Sequence, residues 1–148
     1  MSTALDSTLQ DAADHYLRQL RAGDFDSAFH GLIDLDPAVV HLLIAAYHAE
    51  TSAGICASLL RIISEFRTPS ALPLLAEVLR YRRDDRWKHA LDGLVRLASV
   101  EAVQTLESAL RDEAVAPNPD SSYIDWVREA LDQTKQAHGT NSNATGNA

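Results

Sequence analysis

Apolar residues recur along this chain at the spacing of one helix face. In "SAGICASLLRIISEFR", Ile55, Cys56, Leu59, Leu60, Ile62, Ile63 and Phe66 gather on one side at 100° per residue, with Arg61, Ser64 and Glu65 opposite. The same stripe returns as Leu72, Leu75, Val78 and Leu79, and again as Trp87, Ala90, Leu91, Leu94 and Leu97. No comparable run alternates with period two, so the pattern predicts an all-α protein. Helix starts are marked by Asp24, Asp36 before Pro37, Thr68-Pro69-Ser70, Ser99 and Ser121-Ser122. Their side-chain oxygens suit the free N–H groups of a first turn, and proline suits a position where no N–H is needed. Helices are predicted near 7–21, 25–34, 37–49, 53–66, 70–82, 86–98, 100–113 and 122–137. The small, polar, uncharged tail at 139–148 is expected to be disordered.

An internal repeat orders these helices. A shift of 31 residues lays "SALPLLAEVL" on "EAVQTLESAL", placing Ala71 on Ala102, Leu75 on Leu106 and Leu79 on Leu110. A shift of 33 in the other direction brings Ala38, Val39 and Leu42 into register, and "KHALDG" at 88–93 matches "REALDQ" at 128–133. Two helices per unit of 31 to 40 residues describes helical hairpins set in a row.

The segment "TPSALPLLAEVLRYRRDDRWKHALDGLVRL", 68–97, resembles a HEAT-like repeat, with the Asp85 and Lys88 region where that family's intra-repeat turn usually carries Asp and Arg. The resemblance covers two units over 68–137 and a weaker one over 36–66, and leaves the N-terminal pair at 5–35 outside the pattern. It implies a right-handed α-solenoid of stacked antiparallel helix pairs, about eight helices in one domain over 1–138. It also implies macromolecule binding, with the second helix of each unit lining the concave face. That places Arg61 and Glu65, then His89 and Arg96, then Asp125, Glu129 and Asp132 on neighbouring ridges, with Arg86 on the same side of its helix as His89 and in the expected binding surface. The alternative for each is an ordinary solvated helix face.

Charge narrows the partner. The net charge is −8, distributed as −6 over 1–60, +3 over 61–96 and −5 over 97–148. A mildly basic centre between acidic flanks disfavours a polyanion and favours a mixed or basic protein. Trp126 falls well off the stripe formed by Ile124, Val127, Leu131 and Thr134. Beside Tyr123 it has the composition of an interface anchor, unless the preceding loop covers it. Trp87 falls on its helix's stripe and reads as core.

Catalytic patterns are absent: there is no H-E-x-x-H, P-loop, G-x-G-x-x-G or G-x-S-x-G. Cys56 sits in an apolar run, and His41 and His48 lack a defined third ligand. No enzyme activity, cofactor, metal or small-molecule substrate is expected. With no leader pattern and no run long enough to span a bilayer, a soluble cytoplasmic protein without membrane contact is expected. Compact acidic proteins that look like this include bacterial immunity proteins, which block a toxin's active cleft. The alternatives are a general scaffold or adaptor, an accessory to a lyase, or a nucleic-acid-binding HEAT-like protein using Arg80, Arg82, Arg83, Arg86, Lys88 and Arg96.

Overall fold

A computed structural model describes residues 3–82 and 84–146, with side chains described for 7–82 and 84–139. Among the described residues the protein is all-α. The helices are α1 (Thr3–Arg21), α2 (Phe25–Ile33), α3 (Val39–Ala49), α4 (Ala53–Glu65), α5 (Leu72–Tyr81), α6 (Arg86–Leu97), α7 (Val100–Ala114) and α8 (Ser121–Gly146). None of the described helices is long and apolar enough to cross a membrane.

Side chains set the helix starts. Asp24, Ser52 and Ser99 each accept the N–H three residues on, satisfying a donor that has no partner inside its helix. α3 begins two residues later than the pattern predicts because the Asp36 carboxylate takes the Ala38 N–H at 2.8 Å and holds a turn first. α5 is preceded by a 3-10 turn, Pro69–Ala71, and its Pro73 falls in the first turn, where a missing N–H costs nothing. α8 continues through residues 139–146 of the tail expected to be disordered, while Asn147 and Ala148 lie outside the described residues.

Among the described residues, three helices are followed by a residue in the left-handed region: Arg67 (φ 48°) after α4, Arg82 (φ 44°) after α5 and Ala98 (φ 49°) after α6. Glycine usually fills such a position, and a side chain there costs roughly 1 kcal/mol. At Arg82 the side chain has a use that glycine could not supply.

The chain forms two compact units, Met1–Ala71 and Leu72–Ala148. In the first, α1 pairs with α2 and α3 with α4, while α1 lies against α3 and α2 against α4. In the second, α5 pairs with α6 and α7 with α8, while α5 lies against α7 and α6 against α8. Each unit is therefore two hairpins laid side by side, first helix to first and second to second. An up-and-down ring of four helices would instead close its last helix onto its first. The N-terminal pair, which the repeat pattern leaves out, follows the same packing as the pairs that match it.

The buried residues are those of the helical stripes. Leu32, Leu43, Leu59 and Ile63 are fully buried in the first unit, as are Leu75, Leu79, Leu94 and Leu106, to within 1%, in the second. Cys56 is buried as a small hydrophobe, its Sγ 3.8 Å from the carbonyls of Tyr47 and Glu50.

Both units tie their two first helices together at the same end. In the first unit the Glu50 carboxylate accepts from the Arg21 Nε at 3.2 Å and from the N–H groups of Thr51 and Ser52, which lead into α4. In the second, Glu113 accepts from the Arg82 Nη2 at 2.7 Å and from the Asp120 N–H at 2.9 Å, which leads into α8. Arg82 and Glu113 are 31 residues apart, the period of the repeat. Equivalent positions on adjacent parallel helices stand at the same height, so the repeat itself makes them neighbours. The Ser52 N–H and the Arg21 charge hold the Glu50 carboxyl below the usual carboxylate range. That contribution is present above the ordinary range and is lost as pH falls below it.

Candidate partner-binding surface

In the second unit, α6 and α8 bring three aromatic rings into contact. Trp87 stands edge-on to Tyr123 with centroids 5.2 Å apart and edge-on to Trp126 at 6.0 Å. Such T-shaped pairs place a positive ring edge on a negative face. A cation covers each end of the row: the Arg82 guanidinium lies 4.0 Å from the Tyr123 centroid, and the Lys88 Nζ lies 4.9 Å from that of Trp126. The row runs from inside to outside, with Tyr123 3% exposed, Trp87 half-buried and Trp126 47% exposed.

Tyr123 is thus not the surface anchor that its sequence position suggests. It shares a face with Val127, Ala130 and Thr134, all buried, and its hydroxyl donates to the Leu79 carbonyl at 3.3 Å. Burial pushes its phenol up to about 12, with the Arg82 charge pulling the other way. A group raised in the folded state contributes stability below its unfolded pKa and loses it as pH rises through the folded value. The expected result is a stability gap between the protein and its Tyr123→Phe variant that is constant through neutral pH and shrinks from pH 10 towards about 12. Urea unfolding at stepped alkaline pH measures it, and a gap that stays constant to pH 12 would contradict the assignment.

Trp126 is exposed and adjoins an acidic row. Asp125, Glu129 and Asp132, at i, i+4 and i+7 on α8, are all exposed. Arg128 approaches Asp125 only to 3.8 Å, and Gln133 donates to Glu129 at 3.1 Å. On α6, Asp92 is also exposed, one turn beyond Lys88.

The α6 residues expected on this face divide differently. Arg86 turns back onto the α5–α6 turn, its Nε 2.8 Å from Asp84 Oδ1, and its side chain is 16% exposed. His89 and Arg96 are half-buried and Gly93, on the same side, is buried. In the first unit, Glu65 is half-buried and Arg61 is exposed with its guanidinium 4.6 Å above the Phe25 ring. The structure therefore leaves Asp125, Trp126, Glu129 and Asp132 open along α8, while Arg86, His89 and Arg96 on α6 are half-buried.

The basic stretch that a nucleic-acid reading requires is partly engaged within the protein. Arg82 pairs with Glu113 and Arg86 with Asp84, while Lys88 lies against the tryptophan rings with only a loose approach to Asp85 at 3.7 Å. Arg83 lies outside the described residues. Arg80 is exposed at the rim of an open cleft of about 380 Å³ between α5 and α7, which Ala76, Thr105, Ser108 and Ala109 line and which ends at Arg82 and Glu113.

Sequence reasoning missed the Arg82–Glu113 pair and its contact with Tyr123. The signal was available: the 31-residue shift that aligns Leu79 with Leu110 also lays Arg82 on Glu113. Comparison with protein-family models, with curated proteins and with solved structures gave no match.

Proposed function

We propose that this protein is a binding module that captures another protein through the α6–α8 side of its second unit. The observation that carries this reading is Trp126, nearly half exposed yet packed edge-on against Trp87, at the head of the row Asp125, Glu129 and Asp132. A large aromatic held in place gives contact area at small entropic cost, and the acidic row steers a basic partner. Side-by-side hairpins within each unit support a HEAT-like architecture, in which binding through a helical face is the common use. Acidity, compactness and an open acidic surface favour an immunity protein, which would block a toxin's cleft by occupying it. A general adaptor uses the same surface without a toxin.

Replacing Trp126 with alanine is expected to weaken partner binding by at least about 2 kcal/mol while leaving helical content unchanged. Capture from nuclease-treated lysate of the source organism, followed by titration of the retained protein, measures this. A toxic enzyme held by the protein and released by Trp126→Ala would support immunity. Equal retention by both would move the binding surface elsewhere, and retention of nucleic acid alone in an untreated lysate would replace this reading.

A further inference from the structure

Lys88 occupies an unusual place. Its ammonium sits in the corner between the two indoles, 4.9 Å from the Trp126 centroid and 5.6 Å from that of Trp87. Its ion pair there is loose: Asp85 Oδ1 is 3.7 Å away, on a side chain 88% exposed, and Lys88 itself is 39% exposed. A pair so open to water holds its cation weakly. The corner is thus built to take a cation, through two ring faces and the Asp85 carboxylate, while its resident cation is poorly secured.

We infer that the Trp87–Trp126 corner is a seat for an arginine or lysine side chain of the partner, which displaces Lys88 and brings neighbouring basic residues onto Asp125, Glu129 and Asp132. This deepens the binding-module reading and rests on it. Three observations converge on a basic occupant. Trp126 leaves 47% of its surface uncovered although a cation already lies against it, so the ring can accept a second group or exchange the first. The three exposed carboxylates follow one side of α8 over two turns, the spacing that basic residues at i, i+4 and i+7 of an opposing helix would match. The chain from 97 to 148 carries net charge −5, so approach is favoured before contact. A guanidinium suits the seat better than an ammonium because it is planar, stacks on an indole and can still donate to a carboxylate.

The test uses the full chain and a helical alanine-based peptide of about 15 residues with arginines at i, i+4 and i+7, beside the same peptide carrying citrulline, which keeps the shape and removes the charge. Indole N–H resonances are followed by NMR during titration. The seat predicts that the arginine peptide moves the Trp126 signal, that the citrulline peptide does not, and that Lys88→Met tightens arginine-peptide binding about two- to fivefold by removing the competitor. Combined Asp125→Asn, Glu129→Gln and Asp132→Asn changes should abolish the shift. Equal shifts from both peptides, no shift at Trp126, or weaker binding by Lys88→Met would overturn the proposal. A lysate partner held through Trp126 but indifferent to Lys88→Met and to charge neutralisation would also sink the seat, leaving the binding module intact. Failure to capture any protein would count against the module itself, and the peptide titration would still judge the seat.

Discussion

Glu113→Ala is expected to lower the stability of the second unit by about 2–4 kcal/mol, among the largest effects available outside the apolar core. Glu113 is 7% exposed, and its two carboxylate oxygens take the Arg82 guanidinium and the Asp120 N–H. Truncation would leave the partly buried Arg82 charge without its Glu113 partner and remove the hydrogen bond that holds Asp120 ahead of α8. It would also loosen the cation over Tyr123, which packs against Trp87 and so supports the exposed end of the aromatic row. Since the Arg82 side chain is 32% exposed, water recovers part of its charge, which keeps the figure below that of a wholly buried pair. Urea unfolding gives the loss. The double variant Arg82→Ala with Glu113→Ala should be less destabilised than the sum of the single changes. Strict additivity would show that the pair is not coupled. The carboxylate with the analogous role in the first unit, Glu50, pairs with an Arg21 that is 52% exposed, so Glu50→Ala should cost distinctly less.

Gly31→Ala is expected to cost about 1–3 kcal/mol, although alanine is the better helix former. Gly31 lies within α2, and a Cβ there would stand inside the ring of Tyr16 on α1. The ring is half-buried and rests edge-on against His15, with centroids 5.0 Å apart, so it cannot yield without losing that contact. Thermal or urea unfolding of four proteins decides the cause. In a Tyr16→Ala background the same glycine change should become neutral or stabilising by up to about 1 kcal/mol, because only the propensity difference remains. A loss that persists without the Tyr16 ring would place the strain elsewhere.

These two sites mark what could be read from the sequence. Apolar periodicity located the eight described helices because burial against a neighbour is what fixes each helix. The capping oxygens of Asp24 and Ser99 marked the starts of α2 and α7, whereas Asp36 holds a turn ahead of α3 and Asp120, not Ser121 or Ser122, caps α8. The ends predicted at 66, 82 and 98 fall within one residue of those of α4, α5 and α6, although no glycine marks them. At Arg67, Arg82 and Ala98 the left-handed residue is not glycine, so the usual stop signal is missing. Gly31 carried no signal in the sequence because the ring that demands it comes from another helix.

For the candidate surface, Trp126 stood out by its angle from the stripe, and the structure leaves it exposed. The stripe's centre was misplaced by one residue. Ile124 was counted into it, whereas Tyr123 is the buried member and Ile124 is only half-buried. Either choice satisfies helical spacing, and a cation above the ring together with an acceptor at Leu79 selects the tyrosine. Arg86 was assigned to a surface because turn ion pairs depend on backbone geometry that composition does not carry. Its Nε and its own backbone N–H both reach Asp84, which folds the side chain inward.

The most direct test of a protein-binding surface on α6 and α8 is the affinity of the captured partner for the intact chain, for Trp126→Ala and for Arg61→Ala in the other unit, each checked for unchanged helical content. Loss of at least about 30-fold with Trp126→Ala and little change with Arg61→Ala is the predicted result. Full affinity with Trp126→Ala would contradict the account.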